Sequence, residues 1–227
     1  MGRKLTIAII ALSVIGLIYM AGCDDDDEDF ITNPDDNGHQ IVMPLAAGLE
    51  WHGTIYYIDS NLDTTDMASS IINIDTIEVV ANDTVHHLDI DVTLDSSVLP
   101  EYLYNSDSGL VGYIEEGVDL MLGPYTVAEY PVVQGEVFES YLGFRTQAVS
   151  TRHPVEVPAG SFITVYYRSI HPGFSSGQSD ISQIDRYFDP THGLVRADIW
   201  GRDQTLSNRL LYIWSLDTLI VDTGLVK

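Results

Sequence analysis

Cysteine is nearly missing from this chain: Cys23 is the only one in 227 residues. No internal disulfide can form, so the fold has to be held by its core and its hydrogen bonds. Positive charge is scarce as well. No Lys or Arg occurs between Lys4 and Arg145, whereas Cys23 to Phe144 carries 26 acidic side chains. From Arg145 to Lys227 there are 8 acidic and 8 basic residues, and the whole chain has a net charge of -24. A surface of that sign repels phosphate backbones and anionic headgroups, which excludes nucleic acid as a partner. Helical periodicity is nearly absent after residue 22.

The first 22 residues have a different composition. Met1-Gly2-Arg3-Lys4 supplies two positive charges, an apolar run follows from Leu5 to Tyr19, and Met20-Ala21-Gly22-Cys23 ends it. Charged flank, short apolar core and small residues before the cut describe a secretory signal. A thiol directly after Ala21-Gly22 is placed to accept a diacylglyceryl group. The segment resembles the lipobox of bacterial lipoproteins, with Met20 where Leu is more usual. The resemblance implies that residues 1–22 are removed and that Cys23 becomes the lipidated first residue. Its lipid would make the membrane a partner and the bacterial cell envelope the location.

Residues 23–40 include Asp24-Asp25-Asp26-Asp27-Glu28-Asp29 and Asn33-Pro34-Asp35-Asp36-Asn37-Gly38. Such a stretch repels itself and has little to bury, so it reads as a disordered acidic tether. Acidic residues after a lipidated cysteine resemble sorting signals, which in some bacteria send lipoproteins to the cell surface, whereas in others Asp directly after the cysteine retains them at the inner membrane; the outer membrane or cell surface is the expected location.

From Ile41 onward three pairs of segments match in the same order. Met43-Pro44 to Gly48 and Trp51 parallels Tyr130-Pro131 to Gly135 and Phe138, each Pro-x-x-x-Gly-x-x-aromatic. Ile77 to Thr84 parallels Val155 to Phe162, and Tyr104 to Val111 parallels Phe188 to Val195. The offsets are 87, 78 and 84 residues, differing by loop-sized amounts. This predicts two duplicated β units of about 85–90 residues, 41–125 and 126–227, packed as one body.

Alternation of period two supports strands. Leu49, Trp51, Ile55 and Tyr57 alternate with polar residues, as do Leu88, Ile90, Val92 and Leu94, and Val195, Ala197 and Ile199. Ala81-Asn82-Asp83 and Pro158-Ala159-Gly160-Ser161 are hairpin turns, and Asn105 to Gly109 and Asp189 to Gly193 launch Gly-Leu-Val strands. The expected fold is all-β: an antiparallel, strongly curved sheet, a half-barrel or barrel-like sandwich, of roughly ten strands. One short helix is expected near Val98 to Tyr104.

Val155-Glu156-Val157-Pro158-Ala159-Gly160-Ser161-Phe162, followed by Tyr187-Phe188 and Gly193-Leu194-Val195, resembles a group of uncharacterised bacterial lipoproteins. Their openings are similar to Pro131 to Gly135. Some relatives look like the half-barrel of the lipoprotein carriers of outer-membrane localisation. The resemblance implies fold and location and carries no catalytic residue. It makes Pro131, Gly135, Pro158, Gly160, Phe162 and Gly193 structural motif positions.

Three sets of residues offer chemistry. Asp59, Asn61 and Asp63 stand at the first, third and fifth positions of a calcium-type loop, but Thr64 replaces the sharp-turn Gly and Ser70 the bidentate Glu. His87, Asp89 and Asp91 would share a strand face beside His86. Ser161 and His153 are a nucleophile and a base close in sequence. Each has a plainer reading, respectively a polar turn, a solvated face and a hairpin serine. The aromatic residues Tyr166, Tyr167, Tyr187, Phe188, Trp200, Tyr212 and Trp214 read as core first and as a pocket lining second.

The resulting expectation is a non-enzymatic, cofactor-free, lipid-anchored envelope protein that binds an apolar ligand or an envelope component. A surface adhesion or structural module, stabilised by calcium, is the alternative, and a hydrolase is the third reading. Cys23→Ser is expected to abolish both cleavage and acylation. Fatty-acid labelling and the intact mass of the membrane-extracted protein measure this.

Overall fold

The described residues of the computed structural model are 41–80, 83–90, 98–115, 121–140, 143–171, 181–202 and 208–221. All lie in the unit Asn33–Lys227. The expected signal, Cys23 and the tether fall outside them, as do Asp91, Val92 and Leu94.

Twelve strands form one antiparallel sheet. They are β1 (Leu49–Ile58), β2 (Thr64–Val80), β3 (Asp83–Ile90), β4 (Tyr102–Ser106), β5 (Gly109–Glu115) and β6 (Met121–Glu129). The second six are β7 (Val137–Glu139), β8 (Arg145–Val157), β9 (Gly160–Ile170), β10 (Ile181–Asp189), β11 (Gly193–Arg202) and β12 (Asn208–Val221). Their order is β6-β5-β4-β3-β2-β1-β12-β11-β10-β9-β8-β7. Sequence neighbours pair by hairpins, and β1 meets β12 along Leu49↔Val221 to Tyr57↔Tyr212, which curls the sheet into a nearly closed barrel. The remaining gap, between β6 and β7, is bridged where Ser140 donates its hydroxyl to the Thr126 carbonyl (2.7 Å). On the inner side, the Tyr167 hydroxyl donates to the Glu129 carbonyl.

Two expectations need correction. Among the described residues there are twelve strands rather than about ten: β7 has three residues, and β6 is broken in pattern by Gly123-Pro124. Val98 to Tyr104 is not a helix. Val98-Leu99-Pro100 is a buried bend and β4 begins at Tyr102. Val98, Leu99 and Leu103 are packed inside the barrel, and Pro100 denies a helix its amide.

Odd-numbered strands start, and even-numbered strands end, at one end of the barrel, here called the base. Each run of six strands is a meander, and the three matched pairs of segments fall at equivalent places. The two Pro-x-x-x-Gly segments make the same turn. Leu49 N–H donates to Ala46 O (3.2 Å) and Glu136 N–H to Val133 O (3.0 Å); Gly48 N–H reaches β2 at Ile74 O and Gly135 N–H reaches β8 at Ala148 O. Gly48 and Gly135 take φ of 82° and 92°, a left-handed conformation that glycine adopts without steric cost. The turns Asn105–Gly109 and Asp189–Gly193 both lie at the base. The expected division at 125/126 falls inside β6.

The interior is filled. Trp51, Ile55, Ile72, Leu88, Leu103, Leu110, Tyr167, Ile184, Phe188, Ile199 and Trp214 form one buried cluster. Chain crosses both ends: Val42-Met43 at the base and Val98-Leu99 at the opposite end are wholly buried. Met43 is fixed by its carbonyl, which accepts from the Asn105 side-chain amide (2.9 Å). Trp51 donates its indole N–H to His192 O (2.6 Å), tying β1 to the β10–β11 turn.

Bulges re-aim side chains between the two faces. A shift between Tyr187 and Phe188 lets Val195 leave the inward series of Ala197 and Ile199 and pack outside with Val155, Tyr166 and Tyr187. The end of the β8–β9 hairpin lies over β10 and β11, and Ala159 N–H donates to Leu216 O on β12 (3.1 Å). That carbonyl lies just past Ser215, the last β12 residue paired with β11.

Gly53 is covered by Trp214: a Cβ there would sit 2.6–2.7 Å from the indole. Gly53→Ala should therefore lower unfolding free energy by about 1–3 kcal/mol through overpacking, measured by urea denaturation. Gly135→Ala meets nothing within 4 Å. It should cost about 1–2 kcal/mol, from backbone conformation alone.

Candidate functional site

The sequence-predicted calcium residues form the tight β1–β2 turn. Asp59 Oδ1 accepts the amides of Asn61 (2.7 Å) and Asp63 (3.0 Å), and Asp59 N–H donates to Asp63 O (3.0 Å). Those amides hold the exposed Asp59 carboxyl below the usual carboxylate range. The carboxylate thus organises its own turn. Among the described residues no group of three or more His, Cys, Asp or Glu is placed to hold a metal ion.

The structure does not bring Ser161 and His153 together. Ser161 pairs with Glu156 and His153 with Thr164 on the β8–β9 hairpin, a separation of three rungs, or about 10 Å. The His153 ring instead lies against Tyr166 and Tyr187, with centroids 5.2 and 5.5 Å away. His87 turns from Asp89 to Asp75 (Nδ1–Oδ1 2.8 Å) and stacks near Tyr102. The bulge between Ile74 and Thr76 places Asp75 there. His86 is half-buried, and burial lowers its pKa.

The structural motif positions act as a joint. Pro158 and Ala159 form the turn between Val157 and its ladder partner Gly160. Phe162 meets the His192 ring edge-on at 5.0 Å. Asp189 Oδ1 accepts the amides of Thr191 and His192 and pairs with His192 Nδ1 (2.6 Å). A Cβ at Gly193 would come 2.9 Å from Met43 and 3.2 Å from the Trp51 indole nitrogen. Pro131 and Gly135 belong to the exposed turn ahead of β7. The two parts of the signature touch each other and the first half of the barrel, so their chemistry is architectural.

The arrangement richest in polar chemistry is on the outer face of β9, β10 and β11, and sequence reading did not single it out. Register lines up Tyr166, Tyr187 and Arg196 in one row and Arg168, Asp185 and Asp198 in the next. Arg168 grips Asp185 with two bonds (3.0 and 3.1 Å), and Arg196 grips Asp198 likewise (2.6 and 3.1 Å). Gln183 adds two donations to Asp185, both 3.1 Å. Two like-charged carboxylates directly opposite each other would repel; a forked guanidinium on each resolves this. Tyr166 and Tyr187 stack at 4.6 Å, and Arg168 and Arg196 lie over their rings. Burial, then the Asp185 charge, pushes the Tyr166 phenol up to about 12. Burial, followed by Asp198, pushes Tyr187 up further. Both phenols stay neutral donors at physiological pH. Every charge in the grid has a partner, so the grid suits recognition by hydrogen bonds at the partly open guanidinium edges.

The equivalent outer face of the first half holds Val85, Tyr102 and Tyr113 with Val80 and Tyr104. There the Tyr113 hydroxyl donates to Asp83 (2.8 Å). Between Lys4 and Arg145 the sequence has no guanidinium to offer. A further cation sits inside the barrel: Arg186, wholly buried, donates to Val98 O (2.7 Å) and Ser169 Oγ (2.8 Å), and Ser169 bonds Thr146 (2.7 Å). It fixes the segment that crosses the barrel end. A strand signal could have shown the i,i+2 pairs Tyr166/Arg168, Asp185/Tyr187 and Arg196/Asp198, but not their alignment.

Asp185→Asn should cost about 1–3 kcal/mol of stability, discounted because the Arg168 side chain is 39% exposed to screening solvent. A double-mutant cycle with Arg168→Met should return a coupling of about 1 kcal/mol in chemical denaturation.

No protein-family model matches the chain, and no curated protein matches it. Among solved structures it is similar to an exported protein described as having a YmcC-like fold, from Bacteroides fragilis. The identity is 12%, with 78% of this chain and 98% of that one covered and a TM-score of 0.43. It is also similar to a protein described as a lipoprotein from Parabacteroides distasonis, at 14% identity, 79% and 98% coverage and a TM-score of 0.37.

Proposed function

We propose that this chain is a non-enzymatic, lipid-anchored protein of the bacterial cell envelope, on the outer membrane or cell surface. In this reading it binds an envelope component through its outer surface. The observation that carries this choice over an apolar cargo is the interior. Trp51, Tyr167, Phe188 and Trp214 fill it, each essentially inaccessible, and the chain itself crosses both ends. An apolar ligand of ordinary size buries most of its surface in a preformed cavity, and the described inner side chains have almost no surface left to offer one. The outer grid of β9 to β11 supports surface recognition, because its donors are oriented and its charges balanced before any partner arrives. The ion-paired state of its carboxylates supports a binding role over acid–base chemistry. Anchorage is supported by Met20-Ala21-Gly22-Cys23 and the acidic segment after it.

Lipid extraction of the purified full chain, followed by mass spectrometry of both fractions, should leave the Cys23-linked acyl groups on the protein and release no apolar molecule at one-to-one stoichiometry. A stoichiometric cargo would overturn the surface reading. Melting with calcium, and again with chelator, should give the same midpoint; a calcium-dependent rise would favour the adhesion module built on Asp59, Asn61 and Asp63.

A further inference from the structure

Among the described residues nine large apolar side chains are exposed, and they are not spread evenly. Ile77, Val79, Val133, Val137, Ile163 and Ile220, between 41% and 75% exposed, belong to the base. Ile77 and Val79 end β2, Val133 precedes β7 and Val137 starts it, Ile163 is near the start of β9, and Ile220 is near the end of β12. Leu62 and Met67 stand toward the other end, and Ile170 closes β9 there.

The hairpin ladders make Val80 the counterpart of Val157, each the last rung before its turn, and each packs on the outer aromatic cluster of its own half. Ile77 and Val79 belong to the alternate side-chain row of β2 and stay in solvent.

Their layout restricts what could cover them. The strands concerned run from β2 through β12 and β9 to β7. That is seven strand spacings of about 4.8 Å, or about 34 Å measured along the sheet. A peptide in a groove touches a line or a pocket; residues dispersed around a rim meet a plane. The chain also enters the barrel at this end: Ile41 leads into the buried Val42-Met43 segment at the base. Cys23 precedes Ile41 by 17 intervening residues, a reach of about 60 Å at full extension.

We infer that the base of the barrel is a membrane-contact face that rests on the bilayer to which the chain is tethered, its rim aliphatics inserting among the headgroups. This rests on the lipid-anchor reading above. Glu78, Glu136 and Glu156 are exposed at the same end, so the surface it fits is zwitterionic rather than anionic. Contacts of this size hold a protein only transiently by themselves, and the anchor supplies the proximity that makes them effective.

The single cysteine makes the test clean, because acylation of Cys23 leaves an introduced thiol as the only free one. Val79→Cys, Ile163→Cys and Leu62→Cys are each introduced into the full chain, which is labelled with an environment-sensitive fluorophore and reconstituted in phosphatidylcholine vesicles. Brominated phosphatidylcholine should quench the label at positions 79 and 163 about twofold or more and leave position 62 nearly unchanged, as expected for shallow interfacial insertion. Vesicles that float with the protein while all three labels stay water-like overturn the inference alone. A chain that fails to float removes the anchor reading and this inference with it. A blue shift that grows with protein-to-lipid ratio but escapes brominated lipid assigns the rim to a second copy and also overturns it.

Discussion

The pairing of β1 with β12 is the constraint on which the rest of the molecule depends. Every other ladder joins strands adjacent in sequence, and such hairpins can form locally. Only the Leu49↔Val221 to Tyr57↔Tyr212 ladder requires the two halves to meet. Without it, two six-strand meanders would each expose a hydrophobic face and an open edge, the arrangement most prone to aggregation. With it, the two inner faces become one interior, and Trp51 from the first half and Trp214 from the second are buried in the same cluster. The closing contact spans most of the chain, so folding is expected to be slow for its size.

Closure also sorts the polar groups. Facing inward, Arg186 can be tolerated only because fixed acceptors, Val98 O and Ser169 Oγ, surround it; a buried guanidinium without them would cost several kcal/mol. Facing outward, the Arg168–Asp185 and Arg196–Asp198 pairs sit over tyrosines that shield one side of each. The acidic first half has no such cations and uses a phenol, Tyr113, to satisfy Asp83. The lopsided charge of the sequence therefore appears as two chemically different versions of one surface.

Much of this was legible in the residues. Alternation placed β1, and β3 as far as Ile90; turn chemistry placed three hairpin tips among the described residues, Ala81 and Asn82 lying outside them; and Pro-x-x-x-Gly marked two turns that share their hydrogen bonds. Register was not legible, because a bulge moves a side chain to the other face without changing the local pattern. Val195 shows this, since alternation groups it with Ala197 and Ile199 although it packs outside. The seven aromatics read as one cluster are divided for the same reason: Tyr167, Phe188 and Trp214 point in, while Tyr166 and Tyr187 stack outside. The three-residue β7 is too short to leave a periodic signal. Leu99 and Leu103, both inside the barrel, have the spacing of a helical turn although they belong to a bend and a strand. The Asp–Arg grid needs three strands in alignment, which no single segment encodes.

The gap between β6 and β7 has a counterpart in the β1–β12 ladder, since each is a place where the first and sixth strands of different halves meet. One is a full ladder and the other is bridged by Ser140 and Tyr167. Chain connectivity makes the difference tolerable. The link Tyr130 to Glu136 keeps β6 beside β7 at little cost in closure entropy, so that line holds with side-chain bridges alone. At the other junction no nearby link exists, and the ladder alone must offset the loss of freedom. The barrel is thus zipped where it is not sewn and left loosely laced where it is, which makes the β6–β7 line its natural seam.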